Sequence, residues 1–541
     1  MGGSDAEKGG SGLRRRELIA AGATGAAGLA LAGPLNYGAL ARRARKPVAG
    51  EVAFDHGVAS GFPAPRAITL WTRVSELDRT SRLTLEVARD KGFKRVVERR
   101  RVLAEKPRDF TVHTRVRGLQ PGREYFYRFE TKRSESIVGR FRTAPPPDSR
   151  RPLRIAFCSC QSWQAGYYTA HAALAAEPDV DLVVFLGDYI YEYPFYAGEG
   201  PADRVDETGP NGDGEVQRIA EYRAKYRLYQ SDPNLIAMQA AHPFVAIWDD
   251  HEVEDNFAGA NPDATQADPA LTNQDTPRTV SFAKRRKAGY KAFFEAMPRI
   301  RRSDEPDRIY ERARLGALAD LLLLDTRGYR DLQPCGGALF TPCPEADDPG
   351  RTVLGGAQKE WLKSRLVSSR ATWKLLGNQI MLMGLESGPG VPINVDQWDG
   401  YGAERREILE HALDSGVENI VSLTGDIHTF FAGTATTTGN VSGRPAATEF
   451  VGGSLTSLGI PETLGLPPGV PATELAQVLR ANNPHLGYVD AERRGYGIVE
   501  ITDSELRCEY RAPVTTMEPE SQVETLARFR VPAGEVAVER A

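Results

Sequence analysis

Cysteine is scarce, with five in 541 residues. That is too few to staple together a fold that lacks a core of its own. Neither charge is in excess: 68 Lys and Arg stand against 72 Asp and Glu, a net charge of −4. The electrostatic basis for generic binding to nucleic acid or to an acidic membrane surface is therefore missing. Long, strongly apolar runs are missing too. Leu18 to Leu40 is uncharged, but it is built largely of Ala and Gly and broken by Pro34, whereas a membrane span needs about 20 strongly apolar residues. No internal repeat occurs. Glycine (53) and proline (36) are plentiful, which points to many turns and against a helical bundle or coiled coil. With 41% hydrophobic and 26% charged residues the chain has ordinary globular usage and enough apolar material for a sizeable core.

Arg14, Arg15 and Arg16 precede the weakly apolar stretch, which ends in Ala39-Leu40-Ala41. A basic start, an apolar middle and a small-residue stop have the order of a secretory signal. Arg15-Arg16-Glu17-Leu18-Ile19 resembles a twin-arginine signal. The expectation is a signal peptide over residues 1–41, with the twin-arginine translocase as partner during export. It implies a secreted or cell-envelope location, no stable membrane span and metal loading before export.

Residues 50–143 read as short alternating strands separated by turns, for example Ala67–Val74 and Leu83–Val87. Leu119, the Pro121-Gly122 turn and the alternating aromatics from Tyr125 resemble the tyrosine-corner region of fibronectin-type sandwiches. Residues 144–151, with three successive prolines, read as a stiff exposed linker. From 152 to 515 apolar runs such as Leu182–Leu186 and Leu321–Leu324 alternate with helix-like stretches. That is the texture of a layered α/β domain whose strands are covered on both faces. Residues 516–541 are expected to be a C-terminal tail.

Four of the apolar runs end in groups that bind metals. Ile155–Phe157 is followed by Cys158-Ser159-Cys160, and Leu182–Leu186 by Gly187-Asp188-Tyr189-Ile190-Tyr191. Phe244–Trp248 is followed by Asp249-Asp250-His251-Glu252, and Ile420–Leu423 by Thr424-Gly425-Asp426-Ile427-His428. Ligands of open α/β folds bind at the carboxyl ends of strands, so these side chains are expected on one rim. Buried carboxylates without compensation cost several kcal/mol each, and cations resolve that cost. Thiolate, phenolate, imidazole and carboxylate together suit a trivalent or borderline transition metal, whereas carboxylate, Asn and water suit calcium or magnesium. Asp188 is the candidate to bridge two cations. Asp426 and His428, two apart, would share one side of an extended segment.

Cys335 and Cys343 bracket a turn-rich segment in a chain read as exported. They are expected to form a disulfide rather than half of a metal site, since no second Cys pair or His lies nearby. Cys158 and Cys508 read as buried thiols.

Taken together, these stretches resemble the PhoD-type alkaline phosphatases of the metallophosphoesterase superfamily. Gly57-Val58-Ala59-Ser60-Gly61, Asn378-Gln379-Ile380-Met381 and Trp398-Asp399-Gly400-Tyr401 carry the likeness further. The resemblance implies a four-layer αββα sandwich preceded by an all-β fibronectin- or immunoglobulin-like domain. It implies hydrolysis of phosphomonoesters and phosphodiesters with iron (Fe3+) and one or two calcium ions, by metal-activated hydroxide. Cys160, Asp188, Tyr191 and His428 match iron-side ligands; Asp188, Asp250 and Asp426 match positions facing the second cation, with Asn256 as a further ligand. Only one of the adjacent Asp249 and Asp250 is expected to coordinate. Acids at Asp250 and Asp426, where the wider superfamily has neutral ligands, favour a calcium-like second metal over a plain dizinc centre. His251 is expected to assist the leaving oxygen or orient the nucleophile, with a role in fixing Asp250 as the rival. Arg327 would clamp a phosphate, with a surface salt bridge as the rival. The alternative activity is a phospholipase D-like phosphodiesterase acting on lipid or teichoic-acid-type diesters. Phosphate esters are the expected partners of a monomer that binds no specific nucleic-acid sequence.

Overall fold

Consecutive leucines in the strand Ala319–Leu323 face different cores. Leu321 and Leu323 join one hydrophobic cluster, while Leu322 and its follower Leu324 join another. Side chains alternate across a strand, so a run apolar at every position belongs to a sheet covered on both faces. One face of this sheet meets a second sheet through Leu321, Leu375 and Val421, packed with Ile155, Val183 and Phe157. Its other face is covered by the helices Gly355–Ser368 and Gly402–Asp414 through Leu362, Leu366, Ile408 and Leu409. Each buried leucine contributes roughly 1.5–3 kcal/mol. The larger part of the chain is thus the expected αββα sandwich.

This computed structural model describes residues 50–196, 198–263, 272, 276–463 and 472–541. The expected signal at 1–41 lies outside them. Among the described residues no helix is long and apolar enough to cross a membrane. The inner sheets have ten and seven strands. At the centre of the ten-stranded sheet, Leu153–Cys158, Leu182–Phe185 and Phe244–Ala246 run parallel. In the seven-stranded sheet Ala319–Leu323, Trp373–Asn378 and Ile420–Thr424 do the same. Parallel neighbours bring their carboxyl ends to one edge, and the candidate site lies there.

The N-terminal β-region packs a four-stranded sheet, Leu83, Leu85 and Val87 inward, on Val58, Ile68, Leu70 and Val112 of three other strands. The Tyr125 hydroxyl accepts the Gln120 N–H at 3.0 Å, the bond expected of a tyrosine corner. Those three other strands are not a separate sheet. Val58–Ala64 pairs parallel with Phe244–Ala246, Gly61 opposite Phe244, and so extends the ten-stranded sheet. A Cβ at Gly61 would sit 2.8 Å from the Phe244 carbonyl oxygen, so the junction requires glycine.

Two expectations at the boundaries need correction. The prolines at 145–147 do not form a wholly exposed linker. Ala144 and Pro145 are buried, and the Ala317 N–H donates to the Ser149 carbonyl at 2.8 Å. The ring carbons of proline are apolar, and the turn at Gly316 offers them a surface. Residues 516–541 are not a tail either. Val523–Pro532 pairs along the length of Glu505–Pro513, and its alternation buries Ala527, Phe529 and Val531.

Cys335 and Cys343 are joined, with their Cα atoms 5.9 Å apart, while Cys158, Cys160 and Cys508 are free and buried. A peptide map of non-reduced protein should recover the linked pair. Replacing both cysteines by serine should cost on the order of 2–3 kcal/mol in a denaturant titration, the chain entropy of so short a loop.

Candidate metal centre

Three strands of the ten-stranded sheet and one of the seven-stranded sheet deliver the candidate ligands, and tight turns aim them. Cys160, Asp188, Asp426 and His428 follow their strands with φ of 59°, 55°, 65° and 53°. Left-handed conformations at non-glycine residues cost of order 1 kcal/mol each and concentrate at functional sites. Asp426 and His428 face one side as expected, but not because the segment is extended. A local turn in which the Ile427 N–H donates to the Gly425 carbonyl at 2.8 Å brings them there. Gly187, at φ 106°, lets the Asp188 turn approach the next loop: a Cβ there would lie 2.8 Å from the Asp249 nitrogen.

Donor atoms of Cys160, Asp188 and His428 lie within 4.8 Å of one another. Cys160 Sγ is 3.4 Å from Asp188 Oδ2, and the Tyr191 hydroxyl is 3.1 Å from His428 Nε2. His428 Nδ1 donates to the Leu458 carbonyl at 2.6 Å, which leaves the Nε2 lone pair for a ligand. Burial pushes the His428 pKa down to about 3, so the ring is neutral. Burial, then the charge of Asp188, raises the Cys160 thiol and the Tyr191 phenol well above their usual values. Both need a cation beside them to ionise.

Beside this group, oxygens of Asp188, Asp249, Asp250 and Asp426 lie within 4.8 Å of one another. Asp188 Oδ1, Asp249 Oδ2 and Asp250 Oδ1 are buried and accept no hydrogen bond, although Asp250 Oδ1 has a cation near it, Arg327 Nη2 at 3.5 Å. Unanswered carboxylate oxygens of this kind cost several kcal/mol, and a cation among them removes that cost. Burial and the charge of Asp250 push Asp188 well above the usual carboxylate range. The donor set fits the metals that the sequence implies: thiol, phenol and imidazole on one side, carboxylates on the other. Asp249 and Asp250 do not point oppositely: the chain bends at Asp250 and keeps an oxygen of each within 4.8 Å of the other. Asp250 lines the cavity, while Asp249 pairs with Arg327.

Arg327 is not a phosphate clamp. It is 0% exposed and absent from the cavity wall. Its Nε bonds Asp249, its Nη1 lies 2.8 Å from Asp396, and its Nη2 lies 3.1 Å from Asp426 and 3.5 Å from Asp250. The carboxylates draw the guanidinium inward and surround it with negative charge, so it is placed as the buried counter-charge of the site.

His251 does line the cavity. Its Nδ1 is 2.8 Å from Glu192 Oε2, its Nε2 is 3.8 Å from Asp255, and its ring lies against Tyr191 with centroids 4.1 Å apart. Although burial works against it, the negative charges of Glu192, Asp250 and Asp188 raise the His251 pKa well above its ordinary value. Asn256 also lines the cavity, and its N–H donates to Asp250 Oδ2 at 2.6 Å.

Three supporting residues escaped the sequence reading. Glu252 accepts the N–H groups of Asp188, Tyr189 and Asp249 at 3.2, 2.7 and 2.8 Å and so clips two ligand loops together. Glu192 holds His251, and Gln397 Nε2 donates to Asp426. Glu252 stands inside one strand-end motif and Glu192 directly follows another, where a fully buried Glu could have been suspected. Gln397 carries no such signal.

The cavity above these groups has a volume of about 190 Å3. Phe195, Tyr196, Leu339, Phe340, Ile393 and Ile460 form its upper wall.

Comparison with known proteins adds the following. Residues 155–510 match the PhoD-like phosphatase family, and residues 39–145 match the N-terminal domain of PhoD-like phosphatases. Alkaline phosphatase D of Bacillus subtilis (strain 168) is 35% identical over 495 residues, covering 88% of this chain and 80% of its own. The solved structure of PhoD superposes with a TM-score of 0.78 at 31% identity, covering 92% of this chain and 93% of that one. A purple acid phosphatase of yellow lupin (Lupinus luteus) reaches a TM-score of 0.52 at 12% identity, covering 88% of this chain and 73% of its own, a likeness of fold alone.

Proposed function

Because the chain belongs to the PhoD-like phosphatase family and is a metal-dependent phosphoric ester hydrolase, we propose the identity of its metals and the roles of its residues. Iron is held by Cys160, Asp188, Tyr191 and His428. Calcium is held by Asp188, Asp250, Asn256 and Asp426. The supporting observation is the chemistry of the two donor groups that meet at Asp188, one with sulfur and imidazole, the other with oxygens left unanswered. When bound, the cations supply Lewis acidity: they lower the pKa of water and neutralise phosphoryl oxygens. The chain does the rest. Left-handed turns fix the ligands, Glu252 locks two of their loops, and Arg327 offsets the surplus negative charge from below. Glu192 orients His251, which lines the cavity and can hold a proton for the departing alkoxide.

Residues 1–41 are read as a twin-arginine signal, which makes this a secreted or cell-envelope enzyme, and the mature chain is read as a monomer. Elemental analysis of protein purified without chelator tests the centre. Iron and calcium should both be present in stoichiometric amounts. Zinc alone would overturn the assignment of metals and leave the hydrolase intact.

A further inference from the structure

The cavity carries two chemistries. Its floor presents carboxylates and imidazoles, and its wall presents carbon. Phe195, Leu339 and Phe340 are 39%, 51% and 42% exposed at its mouth. Large apolar side chains gathered at one opening mark a binding surface rather than scattered exposure. Among the described lining residues there is no Lys or Arg. A second phosphate or a carboxylate on the substrate would therefore find no Lys or Arg on the wall to pair with.

Leu339 and Phe340 are held in place. They lie inside the loop closed by Cys335 and Cys343. Leu339 bridges to Asn394, and the Phe340 N–H donates to the Ile393 carbonyl at 3.1 Å. Cys335 N–H donates to Glu345 Oε2 at 3.0 Å. Phe340 has φ 51°, a conformation that costs a side chain energy. A loop cross-linked, paired at its tip and strained at the residue it exposes is built to present that residue.

Resting on the phosphatase reading above, we infer that the disulfide-closed loop 335–343 is a specificity element that seats an uncharged, apolar alcohol moiety of the phosphate ester on Leu339 and Phe340. The floor recognises the phosphoryl group and the wall recognises what is attached to it. Alkyl and aryl esters are then favoured over small polar esters with the same reacting group.

The test compares kcat/KM for hexyl phosphate and glycerol 3-phosphate, two monoesters of ordinary alcohols that differ chiefly in the polarity of the leaving group. The unaltered enzyme should favour hexyl phosphate by roughly tenfold or more, the discrimination a few apolar contacts supply. Leu339→Ser/Phe340→Ser should lower that ratio about tenfold, mainly through KM for hexyl phosphate, while Phe340→Leu retains most of it. Cys335→Ser/Cys343→Ser should lower the ratio in the same direction, because the loop is then no longer held. An unaltered enzyme indifferent to the alcohol, or a ratio that the serine variant leaves unchanged, would overturn the inference. Failure of the unaltered, metal-replete enzyme to hydrolyse either ester would instead overturn the phosphatase reading on which it rests.

Discussion

Asp188→Asn should abolish turnover, by on the order of a thousandfold or more, and should lower the content of both metals in the same preparation. The reason is position. Among the described residues, Asp188 alone belongs to all three groups of side chains that gather donor atoms within 4.8 Å, with Cys160 and His428, with Asp250 and His251, and with Asp249, Asp250 and Asp426. One of its oxygens lies against Cys160 Sγ, and the other is buried with no hydrogen-bond partner. An amide at this position keeps the shape but removes the charge that two cations would share. Neutral Asn also puts an N–H2 where a lone pair is required.

The contrasting variant is His251→Ala. A ring nitrogen of His251 lies within 4.8 Å of oxygens of Asp188 and Asp250, but its Nδ1 is committed to Glu192 and its ring packs on Tyr191. It should lose roughly 10^2–10^4 in kcat, the usual worth of a positioned acid or base, while metal content stays near that of the unaltered protein. Metal content measured beside kcat separates the two roles. If His251→Ala loses its metals, His251 is a ligand; if Asp188→Asn keeps both, Asp188 does not bridge.

Much of the site could be read from the sequence because its signal is local. Asp188, Asp250, Asp426, His428 and Cys160 each stand within a few residues of the end of an apolar run, and parallel strands must bring such ends together. The layered fold was legible for the same reason, since Leu321–Leu324 can be apolar at every position only in a sheet covered twice. What the sequence hid depends on partners far along the chain. Arg327 reads locally as a phosphate clamp or a surface ion pair, yet four carboxylates from residues 249, 250, 396 and 426 surround it. Nothing local to Gln397 announces its bond to Asp426. The left-handed turns that aim Asp426 and His428 were not legible either: Asp and His are enriched at positive φ, but most copies of both have negative φ, so residue type alone does not place such a turn. Val523–Val531 could have been recognised, since its inward Ala527, Phe529 and Val531 alternate with Glu524, Arg528 and Arg530. The merger of the N-terminal strands with the central sheet rests on a single pairing at Gly61, which no pattern within either region encodes.

Arg327→Met should destabilise the protein by about 3–5 kcal/mol, the cost of stripping the partner from buried charges. The guanidinium has no exposure and is shared by Asp249, Asp396, Asp426 and, more distantly, Asp250. Methionine fills much of the volume, so the loss reports charge rather than a cavity. Arg327→Lys should recover only a part, because one ammonium cannot reach all the partners that the planar fork reaches. Combining Arg327→Met with Asp249→Asn should restore stability beyond the sum of the two single changes, since residues in one ion-pair network do not act additively. The carboxylates are shared between Arg327 and the cations proposed above them, so the penalty should depend on metal. Denaturant titration of Arg327→Met should show a larger deficit in protein stripped with chelator than in metal-loaded protein, where the cations still offset the acids. A variant of unchanged stability whose KM for phosphate esters alone rises would mean the opposite, that Arg327 holds substrate and the carboxylates around it are balanced by other means.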